Sequence, residues 1–149
     1  MIEVIEYDPR WPELFAQIRD RVWPACSEAG AVAIEHIGST SVPGLAAKPV
    51  IDLDLVIRAE ADLAPVCSAL ARLLYRFRGD LGVPSRYAFH APAEPAIHHN
   101  LYVCVAGSVA RLRTLAAAQR YGISASTVHS LPIVAPQVVT PTGLSGRCR

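Results

Sequence analysis

The stretch from His36 to Ile57, HIGSTSVPGLAAKPVIDLDLVI, places two acidic residues in a segment that otherwise has the pattern of a buried strand. In residues 49–57 Asp52 and Asp54 alternate with large aliphatic residues, so a strand presents both carboxylates on one face. Like charges at this spacing repel each other unless a cation lies between them. Magnesium is the natural partner, because it prefers oxygen ligands and shares its coordination shell with substrate phosphates. A solvated face or edge of a sheet is the alternative interpretation.

A glycine-serine pair ends the preceding apolar run, residues 31–37. Gly38 allows the backbone to approach a ligand closely, and the Ser39 hydroxyl with nearby N–H groups can hold a phosphate. An ordinary turn would explain the pair equally well by itself. Its position one short loop before Asp52 and Asp54 is more specific, and the combination predicts a site for a metal and a phosphate.

This combination resembles the signature of the nucleotidyltransferase superfamily, which has the fold of DNA polymerase beta. Within it, the chain resembles most closely the GrpB-like family. The resemblance covers residues 7 to about 108 and implies an α+β fold, a small mixed or antiparallel sheet flanked by helices. Four stretches carry it: YDPRWPELF at 7–15, IEHIGSTSVPGLAAKPVIDLDLVI at 34–57, GVPSRYAFH at 82–90 and HHNLYVC at 98–104.

The resemblance also implies roles for individual residues. Asp52 and Asp54 would be catalytic and would hold Mg2+, or Mn2+ in its place. The phosphates of a nucleoside triphosphate would be bound by four residues: Gly38, Ser39, Lys48 and Arg86. Five further residues are candidates for the pocket: Glu35, His36, His98, His99 and Asn100.

Active nucleotidyltransferases carry a third carboxylate on a later strand, whereas this chain has no acidic residue after Glu94. The resemblance therefore implies a protein that binds a nucleotide and Mg2+, and it leaves open whether a nucleotidyl group is transferred and to which acceptor. A non-catalytic accessory module, like the GrpB-like domain appended to dephospho-CoA kinases, is the alternative. Another is a metal-dependent hydrolase that uses the two acids with His36, His98 and His99.

The composition of the whole chain indicates a globular protein. Its 149 residues are 52% hydrophobic and 18% charged, which suits a single core. No apolar run approaches the roughly 18 residues of a membrane span, and the acidic start MIEVIEYD does not fit a signal peptide, so we expect a cytoplasmic protein. Apolar residues at helical spacing predict helices over residues 11–26 and 63–77.

The charges are unevenly distributed. All 13 acidic residues lie in residues 1–94, whereas residues 95–149 contain five arginines and no acid. These arginines are thinly spread and lack interleaved aromatic residues, which argues against nucleic-acid binding. Because the family pattern fades after Gly107, we expect a GrpB-like domain over residues 1–108. A diverged C-terminal segment, partly helical and then irregular, is expected over residues 109–149.

Overall fold

Helices and strands alternate irregularly along the chain. The computed structural model describes residues 3–94 and 96–122, so the irregular part expected in residues 123–149 lies outside the described residues. The elements are, in order, α1 (Trp11–Glu28), β1 (Ala33–Ile37), β2 (Ile51–Ile57), α2 (Leu63–Arg72), β3 (Arg76–Gly79), β4 (Arg86–His90), β5 (His99–Val105) and α3 (Val109–Arg120).

The five strands form one mixed sheet in the order β1-β2-β5-β4-β3. Strand β2 pairs in parallel with β5, and the other neighbours are antiparallel. The expected α+β class is therefore confirmed, with the mixed form of the sheet. Because β2 is paired on both sides, its two acids do not lie at a sheet edge, and the edge interpretation of Asp52 and Asp54 is wrong.

The hydrophobic core lies on the face of the sheet that α1 and α2 cover. Helix α1 turns one apolar stripe inward, since its buried residues recur every three or four positions. Strand β2 contributes every second residue to the same core. Each fully buried side chain of this size contributes about 1.5–3 kcal/mol to folding. The central members are Phe15, Ile18, Val22, Ile51, Leu53, Leu55, Ile57 and Leu101.

Helix α2 ends earlier than the hydrophobic spacing predicts. Its last residue is Arg72, and the predicted continuation to Phe77 is wrong because β3 begins at Arg76. Leu74 adopts φ +68° and breaks the helical path. Phe77 then pairs with Phe89 of β4. The apolar spacing up to Phe77 is compatible with a longer helix or with a strand, and the pairing of β3 with β4 fixes it as a strand.

Over the described range, none of the helices is long and apolar enough to cross a membrane.

Candidate functional site

Three carboxylates lie together on the face of the sheet opposite α1 and α2. Asp52 and Asp54 share this face because they are two residues apart on β2. The strand register sets Glu35 of β1 directly beside Asp54, and like residues paired across strands project to the same side. We call Glu35, Asp52 and Asp54 the carboxylate cluster. Its third acid therefore comes from the strand before the aspartates, not from the later strand where the superfamily pattern places it.

Asp52 contacts the glycine-serine loop and β5. Asn100 Nδ2 donates a hydrogen bond of 2.9 Å to Asp52 Oδ1. A Cβ atom placed on Gly38 would lie only 2.6 Å from Asp52 Oδ2, so the backbone of the loop passes directly over the carboxylate. Burial raises the pKa of Asp52, while the Asn100 hydrogen bond and the charge of Arg86 oppose the rise. Asp52 is partly accessible.

Asp54 lies deeper and is paired with a residue of α3. It is 1% exposed, and Arg111 of α3 is 8% exposed. The Arg111 Nη2 atom forms a close ion pair with Glu35 Oε2, and its Nη1 atom lies 3.6 Å from Asp54 Oδ2. Burial raises the pKa of Asp54 to about 6, and the positive charge of Arg111 limits this rise. The solvated-face interpretation is therefore wrong for Asp54.

Arg86 supplies a second positive charge from β4. Its guanidinium lies 4.5 Å from the centroid of the Tyr102 ring, and Tyr102 is the register partner of Asp54. The charge of Arg86 lowers the pKa values of Asp52 and Asp54 against the effect of burial. Its buried Nε has no hydrogen-bond partner among the described residues. The structure thus places the charge of Arg86 near Asp52 and Asp54.

Two predicted pocket histidines lie on the opposite face, within the core. The His36 ring stacks on Phe15 with centroids 5.0 Å apart, and its Nε2 lies 2.9 Å from the Thr40 hydroxyl. His99 is held between the Tyr75 hydroxyl and the carbonyl of Ile97, each 2.6 Å away. His36 and His99 therefore do not share a face with the acids, as the predicted pocket requires, because adjacent strand residues point to opposite faces. Burial lowers the pKa of His99.

The remaining predicted residues are exposed. Ser39 follows Gly38 at the surface, and Lys48 lies on the loop that leads into β2. His98 and Asn100, together with the buried His99, line an open cavity of about 500 Å³ between the β4–β5 loop and the end of β3. Asn100 connects this cavity to the cluster through its hydrogen bond to Asp52.

Arg111 is the residue that sequence reasoning missed. The segment 109–120 has helical character but no motif that marks one arginine above the others. The available signal was the charge distribution. All acids lie before residue 95, and the arginines that follow are available to balance some of them. Which arginine reaches the cluster depends on the placement of α3, which the sequence does not specify.

The donor atoms of the cluster suit Mg2+, which binds carboxylate and amide oxygens. Their present arrangement suits it only in part. Asp52 is accessible and free of an ion pair with Arg111, whereas Asp54 and Glu35 are both engaged by Arg111. Within residues 3–94 and 96–122, no group of three or more His, Cys, Asp or Glu side chains is arranged to hold a metal.

Comparisons with known proteins agree with this fold. The family described as "GrpB protein" matches residues 1–120. A UPF0157 protein of Halalkalibacterium halodurans is 44% identical over 77 residues, covering 52% of this chain and 39% of that protein. The UPF0157 protein YqkA of Bacillus subtilis is 31% identical over 98 residues, covering 66% of this chain and 28% of that protein. This chain therefore spans less than half the length of these relatives.

Two further similarities concern a solved structure and an enzyme. The crystal structure of the conserved protein GrpB from Enterococcus faecalis superposes with a TM-score of 0.63 at 28% identity, covering 74% of this chain and 66% of that one. A dephospho-CoA kinase of Mycolicibacterium paratuberculosis is 28% identical over 130 residues, covering 71% of this chain and 32% of the kinase.

Proposed function

The chain belongs to the GrpB family, and from this membership and the carboxylate cluster we propose that it binds a nucleoside triphosphate together with Mg2+. The contact between Gly38 and Asp52 carries the proposal. It joins the two halves of the predicted site, a loop able to hold phosphates and a carboxylate able to hold a cation. Nucleotidyl transfer to an acceptor is the reaction class that the superfamily resemblance favours, and a cytoplasmic location fits these ligands.

Each residue has a defined part in the proposed site. Asp52 would hold Mg2+, with Asn100 fixing the orientation of its carboxylate. The loop that begins at Gly38 and Ser39 would bind phosphate oxygens. Arg86 would balance phosphate charge from β4, where it already lies over Tyr102. Bound Mg2+ would supply neutralisation of the phosphates and of the charge that develops in an in-line displacement.

A second candidate function is an accessory module without catalysis. The similarity to part of a dephospho-CoA kinase favours it, because the matched region is only 32% of that enzyme. This chain contains no G-x-x-x-x-G-K-[ST] loop of its own. In such a module the cluster would serve binding or stability, and nucleotide affinity would be independent of Asp52.

Calorimetric titration with ATP, GTP, CTP and UTP, each with and without Mg2+, tests the proposal. We expect binding of at least one nucleotide that requires Mg2+ and is lost in Asp52→Asn. The matched control is Asp20→Asn, since Asp20 is an exposed acid on α1 paired only with its neighbour Arg19, and it should bind like the wild type. Asp52→Asn should fold normally, because removing a partly buried charge relieves its desolvation.

Other results would count against the proposal. A folded wild type that binds none of the four nucleotides would refute it. Equal affinity in wild type and Asp52→Asn would favour the accessory module.

A further inference from the structure

The guanidinium of Arg111 lies where the carboxylate cluster has its greatest negative charge. It contacts both Glu35 and Asp54, two acids that face each other across paired strands. Each of the three side chains is at most 10% exposed. A buried carboxylate pair without a cation would be strongly disfavoured, because burial removes the solvation of both charges. Arg111 therefore supplies the counter-charge to this pair within the fold.

Asp52 is arranged differently. Its carboxylate has a neutral partner, Asn100, and it lies beside the Gly38 loop. Successive same-face positions on a strand are about 6.5–7 Å apart, so the cluster offers two separate positions for a cation. One lies at Asp52 and is partly open. The other lies between Glu35 and Asp54 and is occupied by the Arg111 guanidinium.

We propose that Arg111 is a resident second cation that limits the carboxylate cluster to one divalent ion. This inference rests on the proposed function, since it concerns the ion that Asp52 would hold with the nucleotide. Arg111 is a positioning residue here, because it acts through Glu35 and Asp54 and touches no ligand. It sets the number of ions by removing two of the three carboxylates from competition.

The burial of α3 is concentrated at this contact. Ala110 and Arg111 are the buried residues of the helix, while Val109 and Leu112 on either side are 65% and 56% exposed. Ser108 caps the helix by accepting a hydrogen bond of 3.2 Å from the Arg111 backbone N–H. The start of α3 is therefore fixed at the residue that enters the cluster, as a resident counter-ion requires.

The stoichiometry and affinity of Mn2+ binding, measured by electron paramagnetic resonance on the full chain, test the inference. Wild type should bind one Mn2+ per chain. Arg111→Gln should bind two, because Glu35 and Asp54 become available to a second ion. Arg111→Lys keeps one positive charge and should bind one. Arg113→Gln is the matched control, since Arg113 is exposed on the same helix, and it should also bind one.

The inference is overturned if Arg111→Gln binds a single Mn2+ with wild-type affinity, or if wild type binds two; the proposed function survives either result. If no variant binds Mn2+ while circular dichroism shows folded protein, the inference is overturned as well, and the titrations with nucleotide and Mg2+ decide the proposed function separately. Should Arg111→Gln unfold without metal, thermal melting with Mn2+ decides. A rise in melting temperature well above that of wild type supports the inference, and an equal shift opposes it.

Discussion

Among the glycines that the structure describes, Gly38→Ala should be the most destabilising alanine substitution at a positive φ. Gly38 has φ +73° and ψ −172°, a conformation found essentially only in glycine, so an alanine there is strained by about 1–3 kcal/mol. The new Cβ would also lie 2.6 Å from Asp52 Oδ2, so either the loop or the carboxylate must move. Moving the carboxylate breaks its hydrogen bond with Asn100, which is worth about 1.5–3 kcal/mol as a bond to a charged group. The total loss should be about 2.5–6 kcal/mol.

Gly44→Ala is the matched control for this change. Gly44 has φ +80°, and a Cβ there would meet no atom within 4 Å. This variant should therefore lose only the conformational part, about 1–2 kcal/mol. Urea unfolding followed by circular dichroism gives the free energy of unfolding for both variants. Gly38→Ala should also weaken binding of nucleotide with Mg2+, whereas Gly44→Ala should not.

A double-mutant cycle isolates the contact itself. In an Asp52→Ala background the 2.6 Å approach to Oδ2 is removed and only a 3.3 Å approach to the Cβ of residue 52 remains. Adding Gly38→Ala should therefore cost clearly less there than it costs in wild type. Equal losses for Gly38→Ala and Gly44→Ala in wild type would show that the close approach of loop and carboxylate does not exist in solution. The geometric basis of the proposed function would then be lost.

Two further predictions concern regions outside the cluster. Leu74→Gly should raise the melting temperature by about 2–4 °C. Leu74 holds φ +68° just after α2 and is 70% exposed, so glycine relieves strain of about 1 kcal/mol with little loss of packing. A lower melting temperature would contradict this. The contribution of His99 to stability should be lost as the pH falls below about 6.5, because burial lowers its pKa and the unfolded chain takes up the proton first, whereas Asp52 and Asp54, whose pKa values are raised, act in the opposite direction. Between pH 7 and pH 5, His99→Gln should therefore change in stability more favourably than wild type in urea titrations, while the exposed neighbour variant His98→Gln should stay close to wild type.

The sequence predicts those parts of the site that depend on one strand or one loop. Alternation alone places Asp52 and Asp54 on one face, and the short loop to Gly38 restricts how far apart loop and carboxylate can lie. The position of Glu35 requires the register of β1 on β2, which the sequences of two apolar strands do not give. For the histidines, the sequence does not show which of two neighbours is buried. His98 and His99 are adjacent in sequence, yet only His99 enters the core, where Tyr75 accommodates it.

The two acids in β2 need a compensating positive charge, and the sequence pattern predicts that a metal provides it. The structure shows that Arg111 already provides one from α3, at Asp54 and Glu35. Folding of the described chain therefore needs no divalent ion at Asp54, its most buried acid. A cation at Asp52 would be bound by a protein that is already folded. It follows that Asp52 can be changed without loss of the fold, whereas Arg111 cannot be removed without leaving two buried carboxylates unpaired. The fold and the proposed ligand thus depend on different members of one cluster.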